Sequence, residues 1–114
     1  MTEKRQQHRE AMGCTLKVRD IHHDRPLGCL VDLSESGFML LSDQAFEAGL
    51  VIQLCFEFPA PVDGQSSIEL GAESLWVSPA NKPDYFWNGF RIIDVSPAAA
   101  EILARIVRAA AAAS

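Results

Sequence analysis

The stretch Leu50-Val51-Ile52-Gln53-Leu54-Cys55-Phe56-Glu57-Phe58 decides the fold class. Apolar side chains at 50, 52, 54, 56 and 58 point one way while Gln53, Cys55 and Glu57 point the other, the period-two signature of a strand with one buried face. Pro59-Ala60-Pro61 is expected to end it, because proline has no N–H to donate to a ladder. Working backward, Cys14, Leu16 and Val18 alternate in the same manner, as do Leu27, Cys29, Val31 and Leu33. His23-Asp24-Arg25-Pro26 reads as the turn between those two runs, and Gly37 opens a short run, Phe38 to Leu41. Working forward, Val62 to Ser66 reads as a Gly/Ser loop, Ile68 to Val77 as a strand, and Pro79 to Pro83 as a turn cluster. Phe86 to Val95 supplies the last strand, where Gly89 marks a bulge or a close backbone approach. About six strands separated by regular turns imply a closed antiparallel barrel, an architecture without open edges.

A helix follows the barrel. Ser96 is placed to act as N-cap and Pro97 occupies the first helical position, where its missing N–H costs nothing. Ile102, Leu103, Ile106 and Val107 form one apolar face, expected to cap the open end of the barrel. The 114 residues thus read as one domain. It has a polar, partly basic tail over 1–10, a mainly β barrel over 12–95 and a C-terminal α-helix over 97–110.

The net charge of −5 opposes a general nucleic-acid binder, whose affinity comes from neutralising phosphates. Single-stranded nucleic-acid binding is disfavoured too, since aromatic and basic residues are not interleaved. Any bound anion must be held by a local cluster of positive groups. No apolar run approaches the ~20 residues of a membrane span. Three cysteines cannot all pair within the chain and none sits in a CxxC, so reduced thiols and a cytoplasmic setting are expected. Cys14 and Cys29 fall on inward positions, and Cys55 falls on the outward side of its strand. His22 and His23 would face opposite ways in a strand and have no spaced partner, so no metal is expected. Trp76 and Trp87 read as core or barrel-rim residues rather than stacking platforms. No nucleophile–base arrangement, P-loop or GxGxxG is present, which gives catalysis no foothold and implies no cofactor.

Two short motifs remain. Arg5-Gln6-Gln7-His8-Arg9 has the form RxxxR, and Asp32-Leu33-Ser34-Glu35-Ser36-Gly37 has the form DxSxxG. The second joins two strands; with Leu33 on the inward set, Asp32 and Ser34 point outward together. A carboxylate there can accept from the N1 and N2 edge of a guanine, with a hydroxyl beside it to donate or accept. Gly37 permits either φ > 0 or close approach of another group. Arginine complements such a platform, because its planar fork matches phosphate oxygens and the O6/N7 edge of guanine.

The order and separation of these motifs, within a six-strand-plus-helix pattern, resemble the PilZ family. The resemblance implies a six-stranded PilZ-type β-barrel and a bacterial signalling ligand, cyclic di-GMP, bound at the outer surface beneath a flexible arginine tail. Carried over by motif, Arg5 and Arg9 would bind phosphate and guanine, while Asp32, Ser34 and Gly37 would cradle the base. A basic residue just before the first arginine accompanies binding of a stacked ligand pair in this family, and Lys4 holds that place. The implied protein is a non-enzymatic receptor and adaptor in which ligand orders the tail and thereby modulates an unidentified effector protein. The competing reading is a nucleotide-independent interaction module that uses the barrel or the C-terminal helix.

Overall fold

The computed structural model describes residues 16–113, with side chains through residue 109. The expected arginine tail, with Lys4, Arg5 and Arg9, lies outside the described residues, as does Cys14. Six antiparallel strands, β1 (Lys17–Asp20), β2 (Arg25–Leu33), β3 (Gly37–Ser42), β4 (Val51–Val62), β5 (Gln65–Pro79) and β6 (Phe86–Val95), close in the order β1-β2-β3-β6-β5-β4. A helix, α1 (Pro97–Ala113), follows. The six-stranded barrel with a C-terminal helix is the architecture expected from the alternation.

The core is what the period-two pattern implies. On β4, Ile52, Leu54 and Phe56 are buried and Phe58 packs against them; β1 and β5 close over them with Val18, Ile68, Leu70 and Ala72. Leu50 departs from the expectation: it precedes β4 and is exposed. β4 also runs through Pro59-Ala60-Pro61 rather than ending there. Its pairing with β5 is interrupted between Glu57 and Val62, so the prolines sit where no partner on β5 is matched to them. The loop expected over Val62 to Ser66 tightens to a two-residue turn, Asp63-Gly64, with φ of 51° and 79°. Paired positive φ values suit the right-handed twist of a hairpin.

β2 differs most from its reading. Leu27 and Leu30 are the buried residues, not a strict series from Leu27 to Leu33. Leu27 is an extra residue against β1, which pairs Val18 with Gly28 and Arg19 with Pro26. Val31 is extra against β3, which pairs Leu30 with Leu40 and Asp32 with Met39. Each bulge resets the alternation. Cys29 consequently faces outward, between exposed Lys17 and half-buried Leu41, rather than inward. It is also disulfide-bonded, against the expectation of a reduced thiol at that position, whereas Cys55 is a free thiol. Burial pushes the Cys55 thiol up and the neighbouring Glu57 and Glu69 add to this, against a Ser67 hydrogen bond and Arg19; the net shift is upward. A raised thiol pKa disfavours the reactive thiolate.

Both barrel ends are closed. At one end the loop after β3 inserts Phe46, held by Asn88, whose side chain accepts from the Phe46 N–H at 3.0 Å and donates to the Gln44 carbonyl at 3.0 Å. At the other end α1 lays Ala99, Ile102 and Leu103 over the core. Ser96 caps it through Oγ, which accepts from the Ala99 N–H at 3.1 Å. An Arg105–Asp63 ion pair at 3.2 Å ties α1 to the β4–β5 hairpin.

His22 and His23 lie in the turn between β1 and β2, not in a strand. That turn is organised by Asp20, which is buried. Its Oδ1 accepts from the backbone N–H groups of His22 (2.9 Å) and His23 (3.2 Å), and its Oδ2 lies 2.9 Å from His23 Nδ1. Burial alone would raise the carboxyl pKa, but the His23 hydrogen bonds and charge, with the His22 N–H, hold it below its ordinary value of 3.8. A carboxyl depressed in the folded state stabilises fully above its unfolded pKa and loses that contribution as pH falls through the folded one. Asp20→Ala should therefore cost roughly 1–3 kcal/mol at neutral pH through the lost hydrogen bonds. In urea unfolding, the gap from wild type should narrow below the ordinary carboxyl value; a gap independent of pH would count against this assignment.

Candidate ligand-binding face

The turn between β2 and β3 is built by its own polar side chains. The Ser34 N–H donates to the Gly37 carbonyl at 2.8 Å, and Ser34 Oγ donates to the same carbonyl at 3.2 Å. Ser34 Oγ also accepts from the N–H groups of Gly37 (3.2 Å) and Ser36 (3.4 Å). A hydroxyl used this way fixes the backbone of a short turn. The turn is then fastened to β6, where the Ile92 N–H donates to the Ser36 carbonyl at 2.9 Å. Asp32 is exposed, and its Oδ1 accepts from the Leu33 N–H at 3.0 Å.

Of the two roles open to Gly37, the structure selects close approach. Its φ is not positive, and a Cβ there would stand 2.5 Å from the Phe90 carbonyl oxygen. Any side chain at 37 must push β3 away from β6. Asp32, Ser34 and Gly37 thus share one rigid turn on the outer wall, with Asp32 and Ser34 outward as expected.

Pairing across the sheet adds residues far away in sequence. Asp32 pairs with Met39, Met39 with Gly89, and Gly89 with Trp76, which makes one row across four strands. Trp76 is not a core residue: it is 44% exposed, and its indole lies over Gly89, with Nε1 2.2 Å from where a Cβ would stand. Gly89 is therefore a site of close approach, by a side chain rather than by backbone. Trp87 is half-buried beside Leu41 on the same outer face. In the next row Gly37 pairs with Arg91 and Arg91 with Glu73. The Arg91 guanidinium is ion-paired to the Glu73 carboxylate.

Strand directions place this turn relative to the start of the described chain. β1 begins at Lys17, opposite Cys29, and runs antiparallel to β2. The β2–β3 turn therefore lies at the barrel end from which the chain enters β1. A groove of about 670 Å³ lies elsewhere on that end, against the N-terminus of α1. Asp63, Glu69, Asp94 and Glu101 line it, a charge pattern unsuited to a phosphodiester. Among the described residues no three His, Cys, Asp or Glu side chains are grouped to hold a metal ion. No described helix is long and apolar enough to cross a membrane.

Residues 3–109 match the PilZ domain as a family. The chain belongs to the PilZ domain family. No curated protein matches the sequence significantly. Among solved structures, it is similar to the inhibitor of motility MotI/DgrA of Bacillus subtilis, with a TM-score of 0.72 and 13% identity over 90% of this chain. That match covers 49% of the Bacillus chain, so this PilZ protein spans about half its length. It is also similar to the PilZ domain of YcgR from Escherichia coli, solved with c-di-GMP, with a TM-score of 0.60 and 20% identity over 82% of this chain and 79% of that one. At these identities the likeness is one of fold, and it agrees with the closed barrel and terminal helix described above. PilZ membership was legible from the paired motifs; the outward Trp76 and the Arg91 beside Gly37 were not.

Proposed function

We propose that this PilZ protein is a receptor for cyclic di-GMP that acts as an adaptor. The ligand sits on the outer face at Asp32, Ser34 and Gly37, and the segment carrying Lys4, Arg5 and Arg9 closes over it. The observation that carries this reading is the Ser34-organised turn, presented as a fixed polar platform at the barrel end where the chain enters β1. Arg9 and Lys17 are eight Cα steps apart, a reach of up to about 28 Å when extended, so both arginines have the length to arrive there. Trp76 extends the face, about 14 Å from Asp32 at three strand spacings, and offers a ring on which a second base can stack. The E. coli domain of similar fold was solved with this dinucleotide, which supports the choice of ligand. The ordered tail then presents or masks a surface to an effector protein.

Calorimetric titration with cyclic di-GMP, with cyclic di-AMP as control, tests the proposal. Selective binding of the guanine ligand is expected, and a stoichiometry of two would mark the stacked pair. Asp32→Ala should erode the preference for guanine over adenine, because it removes the acceptor for the N1 and N2 edge. Undiminished discrimination would sink that role for Asp32. The interaction-module reading draws on Leu75, Trp76 and Val77, exposed in succession on β5. Absence of heat with either nucleotide would leave that reading standing alone.

A further inference from the structure

We infer that Arg91 is a third arginine of the ligand site, a strand-borne phosphodiester contact held by Glu73 until the ligand arrives. The inference deepens the receptor reading and rests on it. Arg91 is directly across the ladder from Gly37 of the motif turn, and the next residue, Ile92, bonds to Ser36 of that turn. Directly opposed residues on one face of a sheet have Cβ positions about 5 Å apart. Gly37 has no side chain, so this residue interposes none between Arg91 and a ligand lying over the turn.

The Arg91 side chain is 58% exposed and its partner Glu73 28% exposed. With the guanidinium more than half in solvent, the pair is partly screened, so exchanging its partner costs less than breaking a buried pair would. The carboxylate engages guanidinium donors that match a phosphodiester equally well, one oxyanion replacing another. Glu73 thereby becomes a competitor of the ligand and keeps the site closed to casual anions. The bland alternative is a cross-strand pair that merely supports β5 against β6, and the two readings diverge on substitution.

The test uses the full chain and cyclic di-GMP in four versions: wild type, Arg91→Ala, Arg91→Lys and Glu73→Gln. Arg91→Ala should weaken binding about ten- to a hundred-fold, the scale of one charged hydrogen-bonding group. Arg91→Lys, which keeps the charge and loses the fork, should recover only part of it. Glu73→Gln should tighten binding several-fold, since it removes the competitor; this variant also decides the matter if Arg91→Ala fails to fold. Wild-type affinity in Arg91→Ala, or unchanged or weaker affinity in Glu73→Gln, would overturn the inference while leaving the receptor reading intact. No binding by wild type would overturn both.

Discussion

Replacing Arg5 and Arg9 together with alanine should abolish measurable cyclic di-GMP binding while leaving the unfolding transition where it is. Each arginine can contribute charge-assisted hydrogen bonds, and losing one such group costs roughly 1.5–3 kcal/mol. The pair then accounts for about two to four orders of magnitude in affinity. The fold should not notice, because the described core is assembled from Leu16 onward, within the barrel and α1. Calorimetric titration beside thermal unfolding separates the two effects. Binding retained within a few-fold, with an unaltered melting temperature, would show that the arginine segment is not the clamp. Arg5→Lys and Arg9→Lys refine the outcome, since a position that needs the planar fork will not accept an ammonium. On the proposed reading, fixing the segment over the ligand would cost on the order of 1–2 kcal/mol per residue ordered, and the arginine contacts would have to exceed that cost.

What could be read from the sequence depended on whether the deciding interactions are local. The alternation on β4 is local, and it located Ile52, Leu54 and Phe56 in the core. The Asp32–Gly37 turn is local too, because Ser34 bonds to groups two and three residues away. β2 is not legible in the sequence where its partners decide. Its two bulges exist only in relation to β1 and β3, and they turned Cys29 outward. Pro59 and Pro61 look like strand terminators when a ladder is assumed on both sides, yet the pairing with β5 lapses there. The rest of the candidate face is non-local by construction. Arg91 meets Gly37 only because β6 pairs with β3, and Trp76 is turned to solvent across a register shift in β5. No spacing in the chain announces either neighbour.

The second large effect concerns the core beneath the site. Phe38 follows Gly37 and is buried at the centre of an aromatic group. Its ring meets Phe56 edge-on at 5.1 Å and stacks on Phe90 at 5.1 Å, and Phe90 in turn meets Phe46 at 5.7 Å. Phe38→Ala should destabilise the protein by about 3–5 kcal/mol, from lost burial and the cavity left between rings. That is a large share of the roughly 5–15 kcal/mol that holds a typical domain folded. Phe38→Leu keeps most of the volume and should cost markedly less. Urea unfolding of the two variants against wild type measures the difference, with an unchanged m-value as the sign that only stability moved. A loss under about 1 kcal/mol for the alanine variant would mean that the barrel collapses around the gap, and that the aromatic group is not its keystone. The consequence for binding follows from position. Phe38 anchors the first residues of β3, and Gly37 depends on β3 staying within close approach of the Phe90 carbonyl. Truncating a ring that never touches ligand should therefore weaken cyclic di-GMP binding as well. Saturating ligand should restore part of the lost stability, because it binds the folded state alone.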